Sequence, residues 1–213
     1  MDEGFHTLAG RGEAETRVRA SRFLALAFPA RDEGEARRVL EERERRYFDA
    51  THHCAAWRFR DGSWRALDAG EPSGSAGAPI LAAIDAQGLV DTAVVVTRYF
   101  GGTKLGVGGL VRAYGEAAAE AIAAAPRLLG IPACRVRIDY PYALTSAVMR
   151  VIERSDARDV EHGYATTGGG ATVELTLPRA RLDRFRDLLR DQSGGQLEPD
   201  LRGETVLYTA PNG

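Results

Sequence analysis

Apolar residues recur along this chain at two different spacings, and the changes of spacing divide it into elements. Val18–Phe28 (VRASRFLALAF) shows mixed alternation of polar and apolar residues and predicts a first strand ending at Pro29. Residues 1–16 ahead of it are polar and contain glycine, and predict a loosely held arm with one short strand at most. Asp32 precedes Glu35 by three residues, as in a capping box, and Ala36, Val39, Leu40 and Tyr47 then fall at helical spacing. Thr51–Phe59 and Ser63–Leu67 flank an Asp61-Gly62 turn and predict a hairpin. The Gly-, Pro- and Ser-rich segment Asp68–Leu81 reads as a loop that delivers the chain into a helix over Ala78–Gln87. Thr92–Tyr99 is a β-branched strand, and the five glycines Gly101, Gly102, Gly106, Gly108 and Gly109 follow it. Gly109–Ala125 then returns to helical spacing, with Leu110, Val111, Tyr114, Ala118, Ala121 and Ile122 inward.

Pro126–Ala133 (PRLLGIPA) ends that helical pattern, and we place a domain boundary there, dividing residues 1–130 from 131–213. Beyond it the pattern predicts strand Cys134–Tyr140, a helix opened by Pro141, strand Arg158–Thr166, a Gly168-Gly169-Gly170 turn and strand Ala171–Leu177. A second helix with Leu182, Phe185, Leu188 and Leu189 on one face and a last strand over Gly203–Thr209 complete the order. This is βαββαβ, the ferredoxin-like order, so the fold class is α+β, with an antiparallel sheet covered on one face by two helices.

Composition narrows the function classes. With 213 residues, 44% hydrophobic, 27% charged and a formal net charge of -2, the sequence suits ordinary globular domains. The near-neutral balance argues against wholesale coating of nucleic acid and leaves room for a local basic patch. No stretch approaches the ~20 apolar residues of a membrane span, and no basic-then-apolar leader opens the sequence, so the expectation is a cytoplasmic protein without a membrane partner. Cys54 and Cys134 are far apart and predict buried reduced thiols, not a disulfide framework.

The glycine loop invites two phosphate chemistries, and both fail letter by letter. Gly101 and Gly106 have the separation of a P-loop, but Val107 and Gly108 stand where Lys and Ser or Thr belong. Gly106 and Gly108 begin a dinucleotide fingerprint that Val111 ends. Two readings stay open: backbone NH groups cradling an anion, with Arg98, Lys104 and Arg112 supplying charge, or a purely structural glycine crossing. His52, His53 and Cys54 are adjacent on a strand and alternate between its faces, so they cannot all reach one metal ion. Asp68, Glu71, Ser73 and Ser75 form a polar set in the proline-rich loop, without a committed general base. No catalytic, metal or cofactor site is predicted.

SRF (Ser21–Phe23), THHC (Thr51–Cys54), GEPSGSAGAPIL (Gly70–Leu81) and VVVTRYFGGTKLGVGGLVRAYGEA (Val94–Ala117) together resemble the YigZ and IMPACT family. The family commonly has consecutive aspartates before the Gly-Glu-Pro, whereas Asp68 here is followed by Ala69, which weakens any acidic metal pair. The resemblance implies a first domain that is a β-α-β sandwich similar to domain IV of elongation factor G and to a small-subunit ribosomal protein. It implies a second domain similar to domain V of that factor, and its eukaryotic relatives regulate translation by antagonising activation of a stress kinase. The expectation is a non-enzymatic protein that binds RNA or a ribosome-associated partner through the face of the glycine loop, with Arg135 and Arg137 extending it. The alternative is an enzyme acting on a small phosphorylated or peptide substrate between the 70–78 and 101–109 loops, with Glu71, Ser73 and Ser75 as its polar groups.

Overall fold

The computed structural model describes residues 4–164 and 169–210. Two compact units divide the chain, Phe5–Leu129 and Gly130–Thr209.

In the first unit the order is β1 (Phe5–Leu8), β2 (Gly12–Val18), β3 (Ser21–Pro29), α1 (Glu33–Arg46), β4 (His52–Arg58), β5 (Trp64–Leu67), α2 (Gly77–Ala86), β6 (Thr92–Tyr99) and α3 (Val107–Ala124). Five of these strands pair antiparallel in the order β2-β3-β6-β4-β5. Side chains alternate across a strand, and here both faces are covered, so β3 and β6 read as continuous apolar runs. Phe23, Ala25, Ala27, Cys54, Ala56, Val94 and Val96 meet α2 and α3, while Leu26, Phe28, Ala55, Trp57, Ala93 and Val95 meet Ala36 and Leu40 of α1. Asp32 caps α1 by accepting from the Glu35 amide at 2.8 Å, and Glu35 accepts in return from the Arg31 amide at 2.9 Å.

Three local expectations are corrected. The predicted strand Val18–Phe28 is two strands, β2 and β3, joined at Arg19, and residues 5–18 carry β1 and β2, not a loose arm. The turn was hidden because Arg19 holds a positive φ of 53° without a glycine or asparagine to announce it. β2 was hidden because it is a sheet edge whose outward positions are Glu13, Glu15 and Arg17. Val111, predicted inward, is 38% exposed, while Ala113 and Ala117 take the buried positions beside Tyr114. These alanines bring α3 close to the sheet: a Cβ at Gly12 would stand 2.2 Å from the Ala121 carbonyl oxygen.

The second unit is built from β7 (Arg127–Pro141), whose first residues belong to the first unit, then α4 (Thr145–Glu153), β8 (Arg158–Tyr164), β9 (Gly170–Pro178), α5 (Leu182–Gln192) and β10 (Asp200–Thr209). Its strands lie in the order β10-β7-β9-β8, which is the ferredoxin-like arrangement of βαββαβ. Val136, Ile138, Val173 and Leu175 face Val148, Val151, Phe185 and Leu189 of the two helices. β7 starts at Arg127, before the predicted Cys134, because the fixed φ of Pro132 suits extended chain even though proline donates no ladder hydrogen bond. Of the predicted strand end and triglycine turn, residues 165–168 lie outside the described residues, and Gly170 already belongs to β9.

Candidate functional site

Of the five glycines after β6, Gly101, Gly102 and Gly106 lie ahead of α3 and Gly108 and Gly109 in its first turn, and they have separate physical jobs. Gly101 lies against the β2–β3 turn: a Cβ there would stand 2.0 Å from the Ala20 carbonyl carbon, and its amide donates to Ser21 Oγ at 3.2 Å. Gly102 and Gly106 hold positive φ of 82° and 72°, which bend the loop into the helix. Gly106 caps α3 without a side-chain acceptor, and no acid stands in the first turn, so the amides of Val107, Gly108 and Gly109 lack intrahelical partners. Gly109 is half-buried against Leu105, whereas Gly108 faces open space. Lys104 and Arg112 are exposed, and Arg19 Nη1 donates to the Lys104 carbonyl at 3.2 Å.

Arg98 does not join these cations at the surface. β6 aims it inward, where its side chain is 5% exposed and Nη1 lies 2.5 Å from Glu71 Oε1. Nη2 donates to Ser21 Oγ at 3.3 Å. The same Glu71 oxygen accepts from the Tyr114 hydroxyl at 2.7 Å, and His52 Nε2 approaches it to 3.9 Å. His52 Nδ1 donates to the Ala69 carbonyl at 2.9 Å, since a carbonyl can only accept. The Cys54 thiol is within 3.0 Å of the Asp68 carbonyl and 3.4 Å of the Tyr114 oxygen. Burial pushes the Cys54 thiol up to about 12 and raises the Tyr114 phenol, so neither is an ionised nucleophile near neutral pH. Glu71 thus joins β6, α3 and β4, and fixes the 70–77 loop against all three.

The rest of the polar set is likewise internal. Asp68 accepts from the amides of Gly74, Ala76 and Gly77 at 2.8, 3.0 and 2.9 Å, capping α2 from outside the helix. Burial alone would raise its pKa, but the three NH donors outweigh burial and hold the carboxyl below its ordinary value. Ser75 is buried with its hydroxyl on the Pro72 carbonyl at 2.6 Å, and Ser73 is exposed. His53 points to the opposite face from His52 and Cys54, bonded to Thr97 Oγ1 and the Tyr47 carbonyl, and burial lowers its pKa. Among the described residues, no group of three or more His, Cys, Asp or Glu side chains converges as a metal site requires, and no helix is long and apolar enough to cross a membrane.

Sequence reasoning missed Ser21, Cys54 and Tyr114 as members of this network. Tyr114 falls on an apolar helical stripe and reads as core, although a buried tyrosine hydroxyl usually finds a partner. In the second unit Arg137 is held by Asp139 at 3.0 Å and Glu174 at 3.4 Å. Arg135 lines a cavity of about 320 Å³ together with Arg202 and the acids Asp159, Glu161 and Glu174, so this sheet face carries both signs.

The segments that build the network and the glycine loop are shared with known proteins. The Impact N-terminal domain model matches residues 19–122, which include Ser21, Glu71, Arg98, Lys104 and Tyr114. The chain is 44% identical over 163 residues to the "IMPACT family member in pol 5'region" of Thermus thermophilus, covering 76% of this chain and 86% of that protein. This chain belongs to the IMPACT family. A 40% identical match to IMPACT family member YvyE of Bacillus subtilis spans 57% of each protein. A solved structure described as that of an hypothetical protein is similar with a TM-score of 0.66 at 27% identity, over 93% of this chain and 97% of that one. The similarity therefore extends beyond the matched first domain, and the Glu71 network and the glycine loop lie within the range of the domain match.

Proposed function

We propose that this IMPACT family protein is a non-enzymatic, RNA-binding protein associated with translation, and that the glycine loop ahead of α3 is its contact with RNA phosphates. The observation that carries this reading is the surface of that loop: Lys104 and Arg112 are exposed, Arg19 is held against the loop backbone, and the first turn of α3 offers amides with neither a cap nor an acid. The enzyme alternative has less support. Of its three polar groups Glu71 and Ser75 are engaged with Arg98, Tyr114 and the Pro72 carbonyl, Ser73 is exposed with no general base beside it among the hydrogen bonds of the loop, and the Cys54 thiol is held protonated.

Lys104 is the only lysine in the sequence, so acetylation read by mass spectrometry of the Lys104 peptide, apart from the α-amino group, reports this loop selectively. Ribosomal RNA fragments should protect Lys104 from acetylation, and binding should weaken steeply with salt. Lys104→Ala should reduce the slope of log K against log salt by about one phosphate contact, 0.7 to 0.9 units. RNA binding that is absent, or insensitive to salt and to Lys104, would overturn the proposal in favour of a protein partner.

A further inference from the structure

The end of the first unit's sheet that carries the glycine loop also carries exposed aromatic rings, and four contacts bring its parts together. Tyr99, the last residue of β6, donates its hydroxyl to Asp49 at 2.7 Å, and the amide of Phe100 donates to Thr51 Oγ1 at 3.1 Å. These bonds hold Asp49 and Thr51 of the α1–β4 connection against the end of β6, and Phe48 is the chain neighbour of Asp49. On the other side, Arg19 of the β2–β3 turn reaches the Lys104 carbonyl, and Gly101 packs on Ala20. Phe100 is 45% exposed and Phe48 84% exposed, whereas Phe23, Trp57 and Tyr114 are almost wholly buried; the unit's exposed tryptophan, Trp64, pairs with Arg58 at the other end of the sheet.

Phe100 is held in place from beneath. The Arg98 guanidinium lies 5.5 Å from its ring centroid, and Arg98 is itself fixed by Glu71 and Ser21. A ring supported by a buried, paired cation and open to solvent is a preorganised stacking platform, and it loses little side-chain freedom on binding. Around it stand the exposed cations Arg19 and Lys104.

We infer that this surface binds single-stranded RNA, with bases stacked on Phe100 and Phe48 while Arg19 and Lys104 follow the phosphates. The inference rests on the RNA-binding reading above and adds the strandedness and the mode of recognition. Unpaired bases expose their faces to an aromatic ring, whereas the bases of a duplex have theirs stacked within the helix. Every base has such a face, so recognition by these two rings tolerates sequence. The charge complementarity of adjoining cations favours a nucleic-acid strand over an apolar protein helix.

The test is fluorescence anisotropy of the full chain with an unstructured labelled RNA oligonucleotide and with the same oligonucleotide as a duplex. Wild-type protein is expected to prefer the single strand. Phe100→Ala and Phe48→Ala should each weaken single-strand binding by about 5- to 150-fold, the span of base–aromatic stacking, with duplex affinity and the salt slope unchanged. Phe100→Tyr should restore binding, which separates loss of stacking from loss of fold; Phe48 is exposed enough that its removal unpacks nothing. Equal binding to both forms, or phenylalanine variants that bind the single strand as wild type does, would overturn the stacking inference while a persisting Lys104 effect leaves the phosphate reading standing. Failure to bind either RNA would overturn both.

Discussion

Replacing Glu71 with alanine removes the acceptor on which a buried cation and a buried hydroxyl both depend. Its carboxylate is 2.5 Å from Arg98 Nη1 and 2.7 Å from the Tyr114 hydroxyl, and the Glu71 and Arg98 side chains are 4% and 5% exposed. Removing one partner of a buried ion pair costs about 3–5 kcal/mol, because the remaining charge has neither water nor a counterion. An orphaned buried hydroxyl costs about 1–3 kcal/mol. The two overlap, since one oxygen serves both donors, and a loss of about 4–5 kcal/mol is expected for Glu71→Ala. A typical domain has only about 5–15 kcal/mol in total.

Both tryptophans, Trp57 and Trp64, lie in the first unit, so urea unfolding followed by tryptophan fluorescence reports that unit by itself. The companion variants are Glu71→Leu, Arg98→Met and the double Glu71→Leu/Arg98→Met. Apolar replacement of a whole buried pair is often neutral, so the double variant should be more stable than the sum of its single losses predicts, by about 2 kcal/mol or more. Hydrogen exchange should localise the single-variant loss to the 70–77 loop and the start of α3. A Glu71→Ala loss below about 1.5 kcal/mol, or strictly additive single losses, would refute the assignment of Glu71 as the tie between β6, α3 and β4.

Two other expectations follow from the same geometry. Asp68→Ala should cost about 0.5–2 kcal/mol at pH 7 by uncapping α2. The folded-state pKa of Asp68 is depressed below the ordinary 3.8, so its contribution is present above that pH and is lost as pH falls through the lower folded value. Urea midpoints of wild type and Asp68→Ala should therefore converge in strong acid, and a gap that widens there would contradict the cap. For the thiols, burial raises both Cys54 and Cys134, so an aromatic disulfide reagent at pH 8 should titrate neither in the native protein and both in denaturant. A native thiol that reacts rapidly would show that the sheet–helix layer around it is open, Cys54 reporting on the first unit and Cys134 on the second.

Much of the fold was legible from the chain alone. Thr92–Tyr99 was read with the bounds the structure gives it, and the Asp61-Gly62 hairpin and the βαββαβ order are where the pattern put them. These features depend on residues within a few positions of one another, which is the range over which periodicity, capping and turn chemistry act. β2 and its turn were missed for the same reason: an edge strand with charged outward positions and a left-handed arginine carries no local signal.

The sequence by itself also determined the family, because long ordered segments persist however the chain folds. Only the tertiary structure decided what the residues in those segments do. Arg98 reads in one dimension as a cation beside a glycine loop, yet its counterion, Glu71, is 27 positions away, and Tyr114 is 43 positions from the same carboxylate. Such pairing is created when β6, α3 and the 70–77 loop close on one layer of the core, where an unpaired charge is too costly to leave. Lys104 and Phe100, in the same glycine-rich stretch, are left outside that layer, and the depth of each side chain separates the supporting groups from the candidate contacts.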